Sequence, residues 1–225
     1  MTAVKKHFDE WGGLRRLEPM SRTFGLDRGR PIDRYYIENF LSQHRADIRE
    51  RVLEVGDNSY TREFGREQVT QSDVLHAPPG TRKATIVGDL SEGSALPAAA
   101  FDCMILTQVF PFIFDVHAAI QNCHRALKPG GVMLVTLPGI SQISRYDMER
   151  WGDFWRFTTR SARQLFEGSF GSTSINVEAH GNVLVATAFL QGLATEELTK
   201  DELDYRDDDY QLLITVRVVK DGGGA

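Results

Sequence analysis

Cysteine is scarce in this chain: two residues in 225, Cys103 within an apolar run and Cys123 at a position that reads as the inner face of a helix. That excludes a disulfide framework and a cysteine metal site, and both are read as buried thiols of a reducing compartment, so a cytoplasmic location is expected. Long hydrophobic runs are absent too. No segment approaches the roughly 18 apolar residues of a membrane span, and the lysines near the N-terminus have no apolar stretch behind them, so neither a span nor a signal peptide is expected. A basic surplus is also missing; the net charge of -5 argues against a nucleic-acid partner. The acidic run from Glu196 to Asp209 lacks recognisable ligand spacing, so no metal site is expected and a solvated surface is the plainer reading. No internal repeat is visible. What remains is an ordinary globular composition, 41% hydrophobic and 25% charged, in a length that holds one large α/β domain.

Short apolar runs alternate with helical or loop crossovers. Arg51-Val52-Leu53-Glu54-Val55-Gly56 reads as a buried first strand, preceded by a helix that starts at Pro31 and carries Ile32, Tyr35, Tyr36, Ile37, Phe40 and Leu41 on one face. Further strands are expected at Val69 to Leu75, Ala84 to Leu90, Phe101 to Thr107, Val132 to Thr136, Ser174 to Ala179 and Gln211 to Val219. Pro78-Pro79-Gly80 breaks the chain after the second. Asp115 reads as the N-cap of a helix ended by Lys128-Pro129-Gly130-Gly131, and helices are expected at Thr159 to Glu167 and from about Val183 to Leu193. Residues 1–30 read as a cap or lid, 31–220 as the domain, and 221–225 as a disordered tail. The pattern implies a doubly wound, mostly parallel sheet with helices on both faces, and ligands in such sheets lie beyond the carboxyl ends of the strands. Gly56 to Tyr60, Asp73, Asp89 and Thr107 to Phe112 are therefore expected around one crevice.

Asp73 stands seventeen positions after Gly56, near the spacing of about 20 at which α/β nucleotide-binding units hold a ribose-binding carboxylate. Asp89 closes the next strand. Singly, each aspartate reads as a cap on the following turn; as an ordered pair they suit a nucleoside.

Val52-Leu53-Glu54-Val55-Gly56, then Asp73, then Gly88-Asp89 with Leu96-Pro97 and Phe101-Asp102, and finally Arg125 to Val132 around Leu127-Lys128-Pro129-Gly130-Gly131, resemble the ordered motifs of class I S-adenosylmethionine-dependent methyltransferases over roughly residues 50 to 140. The resemblance implies a Rossmann-like sheet of seven strands, the last antiparallel beside the fifth, and S-adenosyl-L-methionine as cofactor. It implies that the backbone at Glu54 and Gly56 faces the methionine part, that Asp73 binds the ribose, that Asp89 and Leu90 contact the adenine, and that Thr107 and Gln108 border the sulfonium. For Leu90, core packing is the simpler alternative. The chain departs from the family's glycine-x-glycine-x-glycine loop with Gly56-Asp57-Asn58-Ser59-Tyr60: Asn58 can adopt a positive φ, whereas Tyr60 either blocks the crevice or swings outward.

Tyr146-Asp147 and Asp153-Phe154-Trp155-Arg156-Phe157-Thr158 resemble a segment of type-11 methyltransferase-like proteins that accompany polysaccharide and glycolipid assembly. That implies a sugar or other small glycan-related acceptor bound by Tyr146, Trp151, Trp155 and Arg156, and O-methylation as the reaction. These aromatics could equally pack a lid, with Arg156 paired to Asp153 or Asp147. A hydroxyl acceptor benefits from a general base, for which Asp147, Asp153 and His180 are the candidates in that order; His180 could instead cap the next helix. Two other functions remain open: an inactive methyltransferase-fold binding or scaffold module, motivated by Asn58 and Tyr60, and a nucleotide-sugar or dinucleotide enzyme on a similar sheet.

Overall fold

The computed structural model describes residues 15–77, 84–172 and 174–222. The first fourteen residues of the expected cap, the Pro78-Pro79-Gly80 break and residues 223–225 of the expected tail lie outside them.

Seven strands form one sheet: β1 (Glu50–Val55), β2 (Val69–His76), β3 (Ile86–Val87), β4 (Phe101–Thr107), β5 (Leu127–Pro138), β6 (Ile175–His180) and β7 (Leu213–Val219), in the order β3-β2-β1-β4-β5-β7-β6. β1 to β5 run parallel, and β7 runs antiparallel between β5 and β6. The strand order reverses between β1 and β4, the switch at which a ligand crevice opens. β3 is shorter than the Ala84 to Leu90 run suggests: only Ile86 and Val87 pair as strand, with bends at Thr85 and Gly88.

Two cores lie on the two faces of the sheet. On one side α2 (Val116–Ala126) and α4 (Thr159–Phe170) cover Leu53, Met104, Leu106 and Val135. On the other, α1 (Ile32–Gln43) and α5 (Val183–Gln191) cover Val52, Cys103, Ile105 and Leu134. Each of these helices starts at a residue whose chemistry marks a start. Pro31 precedes α1; Asp115 accepts from the Ala118 N–H at 3.0 Å; Thr158 and Ser161 form a reciprocal capping box on α4; Asn182 accepts from Val185 N–H. Both cysteines are fully buried, and burial pushes their thiols up, Cys123 to about 12. Lys128 of the turn before β5's regular part reaches Asp102 at 2.6 Å, tying that turn to the start of β4.

The acidic run is not simply solvated. The Glu197 carboxylate receives Arg28, that of Glu196 receives the Arg30 N–H at 3.0 Å, and Asp204 on α6 (Lys200–Asp204) accepts from Tyr35 Oη at 2.6 Å. With Met20 and Ser21 N–H donating to Gln191 O and Thr195 N–H to Arg30 O, residues 20–30 are laced along the 189–197 segment. Gly192 is the close-approach point: its φ is +71°, and an added Cβ would stand 2.3 Å from Ser21 O. Among the described residues, no helix is long and apolar enough to cross a membrane.

Gly192→Ala is expected to destabilise the protein by about 1–3 kcal/mol, the scale of backbone strain at such positions, with the loss read from the urea unfolding midpoint. Limited proteolysis should then cut within residues 15–30 first.

Candidate functional site

β1 ends in Gly56, whose φ of +86° and open surroundings, with nothing within 4 Å of a notional Cβ, leave the backbone bare. Beyond the loop at 57–60 the chain forms no long helix but a π-turn (61–65) and a 3-10 turn (66–68). The buried carboxylate of Glu54 organises this segment, accepting from Thr61 N–H at 2.8 Å, Thr61 Oγ1 at 2.7 Å and Tyr60 N–H at 3.3 Å. Burial pushes its carboxyl up to about 7 against the pull of those bonds. Asn58 does not take a positive φ; its amide instead donates to Ser72 Oγ at 3.1 Å, so the expected turn chemistry is corrected. Tyr60 does not line the crevice; half-buried, it lines the smaller cavity described below, packs near Phe64, and its hydroxyl lies 3.4 Å from Arg34 Nη1.

Two cavities result. The larger, about 700 Å³, is the crevice at the strand ends, lined by Gly56, His76, Asp89, Leu90, Gln108 and Trp151 among others. The smaller chamber, about 250 Å³, lies beside it and takes its walls from Phe24, Asp33, Tyr60, Gln142, Arg156 and Phe189 among others. Thr107, Gln108, Phe112 and Asp147 line both, so the two spaces meet at the end of β4. Gln108 holds the left-handed conformation there, φ +55°, the kind of backbone strain that persists at binding sites.

Against this geometry the expected residues separate. Gly56, Asp89, Leu90, Thr107 and Gln108 line the crevice; Leu90 is also core. Asp89 accepts from Ser91 N–H and Oγ, both at 2.8 Å. Asp73 does not line it. The residue is 5% exposed, its carboxylate is taken by Arg51 Nε at 2.8 Å, Gln71 at 3.1 Å and Thr85 at 3.0 Å, and the ribose assignment is corrected accordingly. The spacing was near the family's, but β2 continues to His76, and Asp73 lies three residues short of its end on the opposite strand face. Glu54 likewise acts beneath the loop rather than in the crevice.

The aromatic segment divides. Trp151 walls the crevice and Tyr146 is exposed beneath the Arg150 guanidinium, 3.5 Å from its ring centroid. Trp155 turns away, donating to Ile113 O and stacking on Phe114 in a different hollow. Neither Tyr146 nor Trp155 lines the chamber, so their expected acceptor contacts are corrected; Arg156 does line it.

Of the candidate bases, Asp147 stands at the junction, on α3 (Arg145–Met148), accepting from Ser144 Oγ at 2.6 Å. Asp153 borders the chamber, but its oxygens are held by both Arg156 nitrogens and the Ser144 N–H; burial opposes its charge, yet those bonds keep its carboxyl below the usual range. A carboxylate so engaged is an anchor for Arg156, not a base. His180 lines neither cavity: its ring stacks on that of Tyr36 with centroids 5.4 Å apart and pairs with Thr215 Oγ1 at 3.1 Å, and burial lowers its pKa to about 4. The role of base is withdrawn from both residues.

Asp33 escaped the sequence reading. It occupies the first turn of α1, on the polar side of a helix read only for its apolar face, and its carboxyl lines the chamber. No side chain among the described residues hydrogen-bonds it, and burial pushes its pKa up to about 6. The available signal was its place directly after Pro31-Ile32, four residues before Ile37, which also lines the chamber.

The crevice has the volume of a cofactor site, a bare backbone at Gly56, and one buried polar atom without a partner among the described residues, His76 Nδ1. These fit a nucleoside joined to an amino-acid chain. No group of three metal-ligating side chains occurs among the described residues.

The strand order and the crevice define a class I methyltransferase fold. Residues 39–135 match the family model of a methyltransferase domain. A curated protein of Mycolicibacterium smegmatis, described as a probable S-adenosylmethionine-dependent methyltransferase, is 30% identical over 93 residues; that covers 41% of this chain and 32% of the relative, so the chain matches about a third of that relative's length. Among solved structures, a SAM-dependent methyltransferase from Archaeoglobus fulgidus superposes with a TM-score of 0.54 at 12% identity, over 83% of this chain and 94% of that one. The N-methyltransferase NodS from Bradyrhizobium japonicum, in complex with S-adenosyl-L-homocysteine, gives 0.53 at 14%, over 90% and 94%. Identities this low show the fold alone.

Glu54 carries a pH signature. Its pKa rises from 4.5 to about 7 on folding, so its contribution to stability is whole below about pH 4.5 and is lost as pH rises through 7. Glu54→Gln should flatten the fall in unfolding midpoint across that interval, while Glu54→Ala, which strands the Tyr60 and Thr61 N–H groups, should cost about 1–3 kcal/mol throughout.

Proposed function

We propose that this protein is an S-adenosylmethionine-dependent methyltransferase acting on a small hydroxyl-bearing acceptor, with a sugar or glycan-related compound as the acceptor class. The observation that carries the reading is the junction itself: a cofactor-sized crevice and a smaller polar and aromatic chamber share Thr107, Gln108, Phe112 and Asp147. When bound, S-adenosylmethionine supplies a methyl group on a sulfonium, and its transfer requires an in-line nucleophile held in a water-poor site.

The chain's residues divide that work. Gly56, Asp89, Leu90 and Gln108 border the cofactor space. Phe112 and Pro111 shield the junction, while Phe24 and Phe189, with ring centroids 5.8 Å apart, wall the far side of the chamber. Arg156, held by Asp153 and by the carbonyls of Ser141, Gln142 and Trp155, keeps the 141–156 segment in place. Asp147 orients the acceptor, and Asp33, with a pKa near the working range of a general base, takes the hydroxyl proton. Carboxylates facing aromatic and apolar walls suit a polyhydroxy ligand. That Tyr60 does not line the crevice supports turnover over the scaffold alternative.

Calorimetric titration with S-adenosylhomocysteine tests the cofactor half; no heat and no thermal shift at millimolar ligand would overturn it. For the acceptor half, labelled S-adenosylmethionine is incubated with a panel of sugars and polyols, and mass spectrometry locates the added methyl. With an acceptor so identified, transfer should rise as pH passes about 6, where Asp33 ionises. Asp33→Asn should abolish that rise and lower kcat by about 10²-fold or more.

A further inference from the structure

The loop that follows β1 touches both cavities. At one end Gly56 lines the crevice, and at the other Tyr60 lines the chamber. The Glu54 carboxylate fixes where the loop ends, since it accepts from the Tyr60 N–H at 3.3 Å and from the Thr61 N–H at 2.8 Å. The Tyr60 ring then lies 6.0 Å from that of Phe64, on the π-turn that follows. A large side chain at position 60 is therefore more than tolerated: the fold holds it in the wall of the proposed acceptor site.

The carboxylates of the chamber, Asp33 and Asp147, accept hydrogen bonds, and several of its donors are already engaged. The Ser141 hydroxyl donates to Gln142 O at 3.0 Å and that of Ser144 to Asp147 at 2.6 Å. The Arg156 guanidinium is held by Asp153 and by the carbonyls of Ser141, Gln142 and Trp155. The Tyr60 hydroxyl differs. It receives Arg34 Nη1 at 3.4 Å, a long contact open to solvent, and Arg34 lines the chamber as well. Its own proton has no acceptor among the described residues. Burial pushes the phenol up to about 12, so that proton stays in place at neutral pH. A hydroxyl of an acceptor both donates and accepts; the carboxylates meet the first need, and the Tyr60 hydroxyl is placed to meet the second.

We infer that Tyr60 is an acceptor-binding residue of this protein: its hydroxyl donates a hydrogen bond to an oxygen of the acceptor while its ring walls the chamber, so that position 60 selects among hydroxyl-bearing acceptors. The inference rests on the proposed reading of the chamber as the acceptor site. A loop of three glycines would bring no side chain to this wall. Here the loop that borders the cofactor space also supplies a contact to the molecule that receives the methyl group.

The test assays the full chain with labelled S-adenosylmethionine against methyl α-D-glucopyranoside, methyl α-D-mannopyranoside, xylitol and glycerol, then against the deoxy analogues of whichever probe is methylated best. Tyr60→Phe, which keeps the ring, is expected to raise the KM for that probe by about fivefold or more, the scale of one lost neutral hydrogen bond. Its Kd for S-adenosylhomocysteine should stay within about twofold of the parent, since Tyr60 does not line the crevice. One deoxy analogue should be a correspondingly poorer acceptor for the parent, and loss of the same hydroxyl should cost Tyr60→Phe nothing further, a match that a merely structural role would not produce. Tyr60→Ala should raise KM beyond the phenylalanine variant; should it not fold, Tyr60→Phe decides. The inference is overturned alone if Tyr60→Phe methylates the parent's probe with an unchanged KM, if KM and the Kd for S-adenosylhomocysteine rise together, or if every deoxy analogue loses as much with Tyr60→Phe as with the parent. A parent that binds S-adenosylhomocysteine but methylates none of the probes would overturn the reading of the chamber, and one that does not bind it the reading of the crevice, the inference falling with either.

Discussion

Beneath the first loop of the sheet, one buried carboxylate accepts three hydrogen bonds from two consecutive residues, and the geometry of both cavities depends on it. Glu54 draws the Tyr60 and Thr61 N–H groups and the Thr61 hydroxyl down onto the end of β1. The chain between must therefore turn within five residues, which a left-handed Gly56 permits. The same turn carries the Tyr60 ring into the wall of the chamber and leaves the crevice unobstructed. A family loop built on three glycines achieves closeness by having no side chains; this chain achieves it by steering a large one elsewhere.

The doubly wound sheet was legible because burial leaves plain marks. β4 needs a continuous apolar run to be buried on both faces, and Asp115 and Pro31 mark helix starts by chemistry independent of tertiary context. The cavity lining was legible at strand ends, as at Gly56, Asp89, Thr107 and Gln108, and in part of the polar and aromatic segment, at Asp147, Trp151 and Arg156. Spacing misled at Asp73, because a count from Gly56 does not reveal how far β2 continues or which face a residue takes. His180 reads in sequence as a candidate base or a helix cap, and its half-buried ring stacks on Tyr36. Composition likewise bound Trp151 and Trp155 into one cluster, whereas the turn at Gly152 sends them into separate hollows.

The domain match ends at residue 135, and so, nearly, does the crevice. Trp151 and its neighbours aside, the walls of that space come from β1 to β4 and the loops after them. The chamber shares Thr107, Gln108 and Phe112 with the crevice and takes Tyr60 and Pro111 from the matched segment, but adds Phe24, Asp33 and Ile37 before it and Pro138 to Arg156, Phe189 and Leu212 after it. Likeness to known methyltransferases thus bears mainly on the crevice, and more than half of the chamber's lining lies outside that match.

The lacing of residues 20–30 along the 189–197 segment also sets an order of events during synthesis. Phe24 emerges early, but its partner Phe189 and the Gln191 carbonyl that anchors Met20 and Ser21 come more than 160 residues later. At translation rates of about 5–20 residues per second, the N-terminal segment waits roughly ten seconds or longer without its docking surface. β1 to β4 can meanwhile pair as they appear. The crevice needs nothing beyond Trp151, whereas the chamber awaits Phe189, Leu212 and Leu213.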